Sequence, residues 1–362
     1  MTAPILLTRL GFTQSVHNRD GHACVVCGRS PIYSDPVKCS EVDAHHIIDR
    51  ALFEDGGYYL DNGVTVCSNR MDGTVSCHVL AEQTVISTSQ LRDAAGIKNV
   101  ILPDHLEADT TYDKWGNPIL PNGNRMIGEM FFRENVQKAL DAGKVLPLFV
   151  PQVKYPRTYH APWSPNLEND DRMHEGMDFF TGKEVVVTIK KDGENTTMYS
   201  DFIHARSVSD MAPHESRTLI KALHGQVAHD IPKDWRVCGE NMYAKHSIHY
   251  KNLKAYFYVF NIWNEVNVAL SWDDTEMYAA LLGFSTVPVL YRGIYDEEKI
   301  KAIALDGLHN GDEIEGYVIR VADEMPYHAF RYNTAKVVRK NHVRTSKHWL
   351  KELVVKNLIT QH

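Results

Sequence analysis

Two adjacent lysines end an apolar run near the middle of the chain, and Asp-Gly follows at once. Residues 184–200 read EVVVTIKKDGENTTMYS. In a β-strand, alternate side chains point to opposite faces, so Val185 and Val187 share one face while Lys190 lies on the other. If the valine face is core, Lys190 points toward a cleft and Lys191 lies where the turn begins. The alternation therefore predicts Lys190 as the reactive amine.

A second group of reactive side chains lies in the first quarter of the chain. Cys24 and Cys27 are separated by two residues, and Cys67 and Cys77 follow later. Thiolates at the closer spacing can reach one Zn²⁺ from a tight turn, and four thiolates complete a tetrahedral site. The spacing therefore predicts a structural zinc site. A set of unpaired buried cysteines is the alternative.

The segments between these cysteines read VDAHHIIDR and DNGVTVC, and a final Cys-His pair follows. Over residues 22 to about 82 this order resembles the HNH (ββα-metal) endonucleases, although the second cysteine pair is spaced more widely than is usual there. The resemblance implies that His45 and His78 bind a catalytic divalent ion, that His46 is the general base, and that Asn62 orients this base or helps to bind the metal. A neutral imidazole can accept a proton from an attacking water. The alternative is a zinc-stapled module that only binds nucleic acid or docks.

The residues Lys190 to Gly193 also fit K-x-D-G, the nucleophile motif of covalent nucleotidyltransferases. The segments VCGENMYAKHSIHY, AYFYVFNIW, DEIEGYVIR and AKVVRK follow in order and resemble the later motifs of that superfamily. The segments YPRTYHAPWSP, HARS and KNHVRTSKHW make the chain most similar to the ATP-dependent RNA ligases, over about residues 154–350. The whole chain also resembles a family in which an HNH module is fused to an RNA ligase.

This second resemblance implies a role for each matching residue. Lys190 would attack the α-phosphate of ATP and form lysyl-AMP, with pyrophosphate leaving. The other implied nucleotide contacts are Asp192 and Gly193 beside the lysine, Arg206 at the nucleotide or the acceptor-end phosphate, Glu240 at the ribose or a metal, Phe260 on adenine, Glu315 at Mg²⁺, and Lys336 with Arg339 or Lys340 at the α-phosphate. Because a free lysine has a pKa of about 10.4, neighbouring cations or a metal must lower the pKa of the nucleophile.

Several of these residues also have ordinary alternatives. Phe260 shares a strand face with Tyr258 and could be core packing. Glu240 and Glu315 could be surface carboxylates, and the basic stretch from Lys336 onward could be a solvated helix face.

Composition and turn residues indicate how these sites are positioned. The 362 residues are 43% apolar and 23% charged with a net charge of -7, as in ordinary globular proteins. Residues 1–100 are predicted as an HNH-like zinc module, 101–155 as a connector rich in Pro, Gly and Asn, and 156–362 as a ligase adenylyltransferase domain. The connector is expected to contain one amphipathic helix, in IGEMFFRENVQKALDAGK, that Gly143 ends.

The sequence shows neither an apolar run long enough for a membrane span nor a signal peptide, so a cytoplasmic location is expected.

The sequence thus predicts an α+β protein in which a ββα zinc module precedes a domain of packed antiparallel sheets. The expected main activity is ATP-dependent joining of 5′-phosphate and 3′-hydroxyl RNA ends in RNA repair, with a metal-dependent HNH endonuclease as a second expected activity. Expected cofactors are ATP, Mg²⁺ (or Mn²⁺) and Zn²⁺, and the expected partner is RNA or DNA. The alternatives are a DNA ligase of the same superfamily, and an HNH nuclease whose ligase-like domain only senses nucleotide or strand ends.

Overall fold

The computed structural model describes residues 4–32, 34–35, 40–165, 171–206, 208, 214–303, 308–309, 312–339 and 354–360. The chain divides into two units, Met1–Val153 and Lys154–His362. Within the described residues, no helix has the length and apolar character needed to cross a membrane.

The first unit contains a β-hairpin followed by a helix. Its elements are α1 (Arg9–Arg19), β1 (Ser40–His46), β2 (Gly63–Arg70), α2 (Cys77–Glu82), α3 (Thr88–Ala94), β3 (Thr111–Tyr112), β4 (Pro118–Ile119), β5 (Arg125–Met126), α4 (Glu134–Ala142) and β6 (Phe149–Val150). Strands β1 and β2 pair antiparallel, and α2 packs against β2. Ser76 caps α2 by accepting a hydrogen bond from the backbone N–H of Val79. The order is the ββα arrangement that the HNH resemblance implied.

The segment 101–155, predicted as a connector, folds with the first unit as far as Val153. Strands β3 to β6 form a four-stranded sheet. Helix α4 buries Val136 and Leu140 in a core that also contains Leu52 from the ββα part. The abundant Pro, Gly and Asn residues therefore form tight turns of a folded region and do not indicate a linker.

Helix α4 starts later than the sequence predicted. The segment before it is bound to the turn around Asn117, where the N–H of Gly128 donates to Asn117 Oδ1 at 2.8 Å. A Cβ at Gly128 would lie 2.3 Å from the carbonyl oxygen of Gly116, so this approach requires glycine. The predicted end at Gly143 agrees with the structure, where Gly143 is the C-cap.

The second unit contains two large sheets that are mostly antiparallel. Its elements are β7 (Glu184–Lys190), β8 (Glu194–Met198), β9 (Ile203–Ala205), α5 (Glu215–Val227), β10 (Arg236–Asn241), β11 (Phe257–Trp263), β12 (Val268–Ala269), α6 (Trp272–Leu281), β13 (Ser285–Thr286), β14 (Val289–Ile294), α7 (Glu297–Lys301), β15 (Leu308–His309), β16 (Asp312–Glu313), β17 (Gly316–Val321), β18 (Met325–Pro326) and β19 (Thr334–Val338). One sheet has the order β18-β12-β11-β10-β8-β9, with β13 beside β11, and the other has the order β14-β7-β17-β19. The mixed α+β class with antiparallel sheets is therefore confirmed.

Strand β7 is buried on both faces, which differs from the expectation of one core face and one open face. Val185 and Val187 pack in a cluster with Trp263, and Val186 packs in a second cluster with Tyr258. Only the two ends of the strand are accessible, because Glu184 is exposed and Lys190 is partly exposed. The predicted reactive amine therefore lies at one of the two accessible ends of β7.

Candidate active site and metal centres

The end of β7 places Lys190 against a buried carboxylate. Its Nζ donates to Glu315 Oε2 at 2.5 Å. Lys190 is paired in register with Gly316 of β17, so Glu315 directly precedes the residue opposite the lysine. A Cβ at Gly316 would lie 1.9 Å from the carbonyl oxygen of Val337. Only glycine therefore lets β19 pass this close behind the carboxylate.

Lys191 has a different environment from its neighbour. Its side chain is buried, and its Nζ lies 4.9 Å from the ring centre of Tyr250 and 5.2 Å from that of Tyr258. A cation over an aromatic face is stabilised by the electrons of the ring. The two lysines therefore point in different directions, as strand alternation predicted. Lys190 contacts a carboxylate, and Lys191 contacts aromatic rings.

The Asp-Gly pair after the lysines holds the turn against neighbouring backbone. Asp192 Oδ2 accepts hydrogen bonds from the N–H of Ser247 at 2.8 Å and of Ile248 at 2.9 Å. The N–H of Gly193 donates to Glu240 Oε1 at 3.1 Å. A Cβ at Gly193 would lie 2.5 Å from a backbone oxygen of β10. Asp192 therefore anchors the turn, where the resemblance had implied contact with the nucleotide.

The groups that act most strongly on Lys190 are acidic. Burial alone would lower the pKa of Lys190, but Glu315 and Glu240 outweigh burial and raise it. Burial raises the pKa of Glu240 to about 8; Lys190 opposes this rise, and Glu315 adds to it. Neighbouring cations or a metal were expected to lower the pKa of the lysine; the neighbouring side chains raise it instead, and lowering by a metal stays a prediction. Carboxylate oxygens suit Mg²⁺ or Mn²⁺, and a cation bound there would offset the negative charge that raises the lysine pKa.

Lys336 lies on the same face of the four-stranded sheet as Lys190. The register places Lys336 and Thr188 opposite the same residue of β17, and Thr188 shares its face with Lys190. Lys336 Nζ donates to Asp171 Oδ1 at 2.9 Å, and His160 Nε2 is 3.2 Å from Asp171 Oδ2. Burial alone would raise the pKa of Asp171, but His160 and Lys336 outweigh it and hold that pKa well below its usual range. Asp171 was missed because no motif contains it.

The remaining predicted nucleotide contacts are less closely tied to this site. Phe260 is half-buried, and its ring meets that of Tyr155 edge-on with the centres 5.1 Å apart, so its described contacts are core packing. Arg206 is exposed just after β9. Arg339 Nη2 donates to Glu313 Oε2 at 2.5 Å. Lys340 and the basic stretch that follows it lie outside the described residues.

Four thiolates converge in the first unit. The sulfur atoms of Cys24, Cys27, Cys67 and Cys77 all lie within 4.8 Å of one another. A tetrahedral Zn²⁺ with bonds of about 2.3 Å separates its sulfurs by about 3.8 Å. Burial would raise the pKa of Cys27, but hydrogen bonds from the Arg29 backbone and from other cysteines lower it to about 7. The four residues therefore fit a structural zinc ion.

The long segment between the last two cysteines consists of the end of a strand and a turn. Strand β2 continues to Arg70, and a turn follows in which the N–H of Gly73 donates to the carbonyl of Arg70 at 3.1 Å. Arg70 Nε and Nη2 donate to the sulfurs of Cys67 and Cys77 at 3.2 and 3.0 Å. The longer loop therefore still returns Cys77 to the cluster and leads His78 into the first turn of α2.

A second donor set lies at the end of β1. Ligand atoms of His45, His78 and Glu82 are within 4.8 Å of one another, and Glu82 Oε1 is 3.6 Å from His45 Nδ1 and 3.5 Å from His78 Nε2. His45 Nε2 is buried and has no hydrogen-bond partner among the described residues. Burial holds the pKa of His45 well below its usual range. Two imidazoles and a carboxylate fit a divalent ion. Sequence reasoning missed Glu82, although an (i, i+4) spacing on a helix places it beside His78.

His46, the predicted general base, is held between aromatic rings. Its ring stacks on Phe12 with centres 4.5 Å apart and meets the edge of Tyr58 at 5.2 Å. Burial, followed by the nearby charge of Lys114, lowers the pKa of His46 to about 4. The imidazole is therefore neutral near pH 7, as a general base must be, although the lowered pKa makes it a weaker proton acceptor than a free histidine.

Asn62, predicted to orient the base or to help bind the metal, contacts the loop that follows the two histidines. Its Oδ1 accepts from the N–H of Ile48 at 3.0 Å, and its Nδ2 donates to the carbonyls of Ile48 and Gly57 at 3.1 Å each. Its amide binds the backbone that follows the two histidines, which agrees with the expected role of orienting the base, and a part of Asn62 in metal binding stays a prediction. Asn62 positions that loop.

Comparison with known proteins gives one family match. Residues 183–338 match the family described as RNA ligase. The match covers less than half of the chain and contains Lys190, Glu240, Glu315 and Lys336. It supports RNA ligase activity for the second unit. No curated protein matches the chain.

Solved structures of one RNA ligase are distantly similar to this chain. A variant of the Naegleria gruberi RNA ligase with ATP and Mn is 18% identical, with a TM-score of 0.34, and the match covers 45% of this chain and 51% of the other. The same ligase with PPi is 14% identical, with a TM-score of 0.36, and the match covers 83% of this chain and 85% of the other. The chain thus spans about half the length of the first of these and most of the second.

Proposed function

We propose that the second unit is an ATP-dependent RNA ligase that forms a covalent lysyl-AMP on Lys190. The observation that carries the proposal is the contact between Lys190 and Glu315 at the end of β7, inside the region that matches the RNA ligase family. A lysine fixed beside two carboxylates, with a second lysine on the same sheet face, provides a nucleophile, oxygen ligands for a cation and a phosphate-binding group.

Each residue then has a defined task in adenylylation. The neutral amine of Lys190 attacks the α-phosphorus of ATP, an N–P bond forms, the bond to pyrophosphate breaks, and the amine proton passes to solvent. Mg²⁺ or Mn²⁺ held by Glu315 and Glu240 would neutralise phosphate charge. Lys336 would exchange Asp171 for the α-phosphate. The AMP then passes to a 5′-phosphate, and a 3′-hydroxyl attacks this activated end and releases AMP.

An end-joining assay tests this proposal. Purified protein is incubated with ATP labelled at the α-phosphate, Mg²⁺, and nicked or single-stranded RNA and DNA of matched sequence. We expect a labelled protein band and joined RNA, and Glu315→Gln should lose both because a metal ligand is removed. Joining of DNA in preference to RNA would favour the DNA ligase alternative. The absence of any labelled protein would favour a domain that only senses nucleotide or ends, and would refute the proposal.

We further propose that the first unit is a metal-dependent endonuclease. The specific observation is the His45, His78 and Glu82 donor set, whose ligand atoms lie within 4.8 Å of one another and in which Glu82 Oε1 is 3.6 Å from His45 Nδ1 and 3.5 Å from His78 Nε2. A divalent ion held there would stabilise charge on the scissile phosphate and the leaving oxygen. His46 would take the proton of the attacking water, and Zn²⁺ held by the four cysteines would fasten the hairpin to α2.

Cutting assays separate this activity from ligation. With Mg²⁺ or Mn²⁺, the protein should nick some DNA or RNA, and His46→Ala should stop the cutting while the AMP adduct still forms. His224→Ala, in the second unit, is a matched histidine control that should cut normally. If no DNA or RNA is cut with either metal, the first unit is a zinc-stapled binding module and the nuclease proposal fails.

A further inference from the structure

A buried lysine from the segment after α3 reaches the His45, His78 and Glu82 donor set. Lys114 is 4% exposed, and its Nζ lies 3.2 Å from Glu82 Oε1. That oxygen is the same one that the two imidazole nitrogens approach. The ammonium also donates to the carbonyl of His46 at 3.1 Å and lies 3.5 Å from Asp49 Oδ2.

The loop that carries this lysine is built to hold it. The backbone oxygen of Lys114 accepts from the N–H of Asp49 at 2.9 Å. The preceding residue, Asp113, is buried and accepts from Asn117 Nδ2 at 3.0 Å and from Arg125 Nη1 at 3.1 Å. On the other side, Trp115 Nε1 donates to the carbonyl of Glu82 at 2.9 Å. The lysine is thus fixed from both sides, unlike a surface lysine.

A purely structural role explains this arrangement poorly. Removing an ammonium from water costs several kcal/mol, and the contacts to the His46 carbonyl and Asp49 would offset that cost without a further contact at Glu82. The carboxylate it contacts faces two imidazoles that are already suited to a cation. Two positive charges around one carboxylate are useful where a phosphate group must be bound, since a phosphodiester brings a negative charge of its own.

We propose that Lys114 is a second, protein-borne cation of this centre, which shares Glu82 with the divalent ion and binds a phosphate oxygen of the nucleic acid. The inference rests on the proposed nuclease function. Lys114 then competes with the metal for Glu82 in the free protein and turns to the phosphate when the substrate is bound.

Metal binding provides the main test, because it does not depend on activity. Mn²⁺ is titrated by calorimetry into the zinc-loaded full-length protein, since Mn²⁺ prefers oxygen and imidazole to the thiolates. The wild type and every variant in this titration carry Glu315→Gln, which removes the Mn²⁺ site proposed for the second unit. Removal of a fixed positive charge beside the site should tighten Mn²⁺ binding about tenfold in Lys114→Met. Lys114→Arg keeps the charge and should resemble the wild type. Lys138→Met is the control, because that lysine side chain is 73% exposed, and His45→Ala should abolish the binding.

Cleavage provides the second readout. Lys114→Met should cut about a hundredfold more slowly at saturating Mn²⁺ because a phosphate contact is lost, and Lys114→Arg should retain part of the rate. Lys114→Gln serves as the neutral variant if Lys114→Met fails to fold, as judged by zinc content and thermal unfolding. Unchanged or weaker Mn²⁺ binding in the folded neutral variant overturns the proposal, and so does cutting at the wild-type rate. If the wild type cuts nothing while the neutral variant binds Mn²⁺ more tightly, the nuclease function fails and the sharing of Glu82 stands.

Discussion

The buried imidazole of His204 should make the second unit lose stability in mild acid. This residue of β9 is fully buried. Its Nδ1 donates to the carbonyl of Ala205 at 2.6 Å, and its Nε2 has no hydrogen-bond partner among the residues the structure describes. Burial, with a smaller effect of Arg236, lowers its pKa to about 4, although the Ala205 contact opposes the change. The folded protein therefore keeps this imidazole neutral where an unfolded chain would protonate it.

The sign and size of the effect follow from linkage. An unfolded histidine has a pKa of about 6.5, so between about pH 6.5 and pH 4 the unfolded state binds the additional proton and stability falls as the pH falls. The full contribution is about 3 kcal/mol, and about 2 kcal/mol of it should be lost between about pH 7 and pH 5. Above about pH 7 the contribution of His204 to the free energy of unfolding no longer changes with pH.

Urea unfolding followed by tryptophan fluorescence measures this loss, because Trp235, Trp263 and Trp272 all lie in the second unit. Over the same pH interval, the free energy of unfolding of His204→Leu should fall by about 2 kcal/mol less than that of the wild type. His229→Leu is the matched control, since that imidazole is 74% exposed. If the wild type and His204→Leu lose equal free energies of unfolding, the imidazole is not held neutral and the reasoning fails.

Three further predictions concern the cores of the two units. Purified protein should hold about one Zn²⁺, and Cys67→Ser should lose it and unfold the hairpin; elemental analysis without zinc would contradict this. Gly316→Ala should destabilise the second unit by about 3 kcal/mol or more and abolish the AMP adduct, because a Cβ would meet a carbonyl oxygen of β19 at 1.9 Å. Gly225→Ala in α5 meets no atom within 4 Å, so it should stabilise by up to about 1 kcal/mol in the same urea assay. Arg217→Met should lower the free energy of unfolding by about 3 to 5 kcal/mol, because it leaves Glu194 buried without its bidentate partner. Adding Glu194→Gln to this variant should restore part of the lost stability.

The parts of the site that depend on local spacing could be predicted from the sequence. Strand alternation separates Lys190 from Lys191 because side chains alternate along any extended chain. Cys67, Cys77 and the two histidines lie on one hairpin and the helix after it, and Cys24 and Cys27 lie in a turn before that hairpin. The order of these residues along the chain therefore largely determines that they converge. Glu82 was predictable by the same reasoning from its spacing to His78.

The residues that could not be predicted come from segments that carry no motif. Asp171 reaches Lys336 only because the chain before β7 returns to the edge of β19, where His160 forms a bridge to Lys336. Lys114 lies in a segment whose composition indicated a linker, and only the shared core around Leu52 shows that it belongs to the first unit. The burial of both faces of β7 likewise depends on how the two sheets pack, which alternation along one strand does not specify.

Mapping the adenylylated residue tests the central claim most directly. The protein is incubated with ATP and Mg²⁺ and digested with a protease that leaves both lysines in one peptide, which is then fragmented by mass spectrometry. AMP should be found on Lys190; Lys190→Ala should form no adduct, and Lys191→Ala should form a reduced one. AMP on Lys191, or an adduct that persists in Lys190→Ala, would contradict the assignment of the nucleophile.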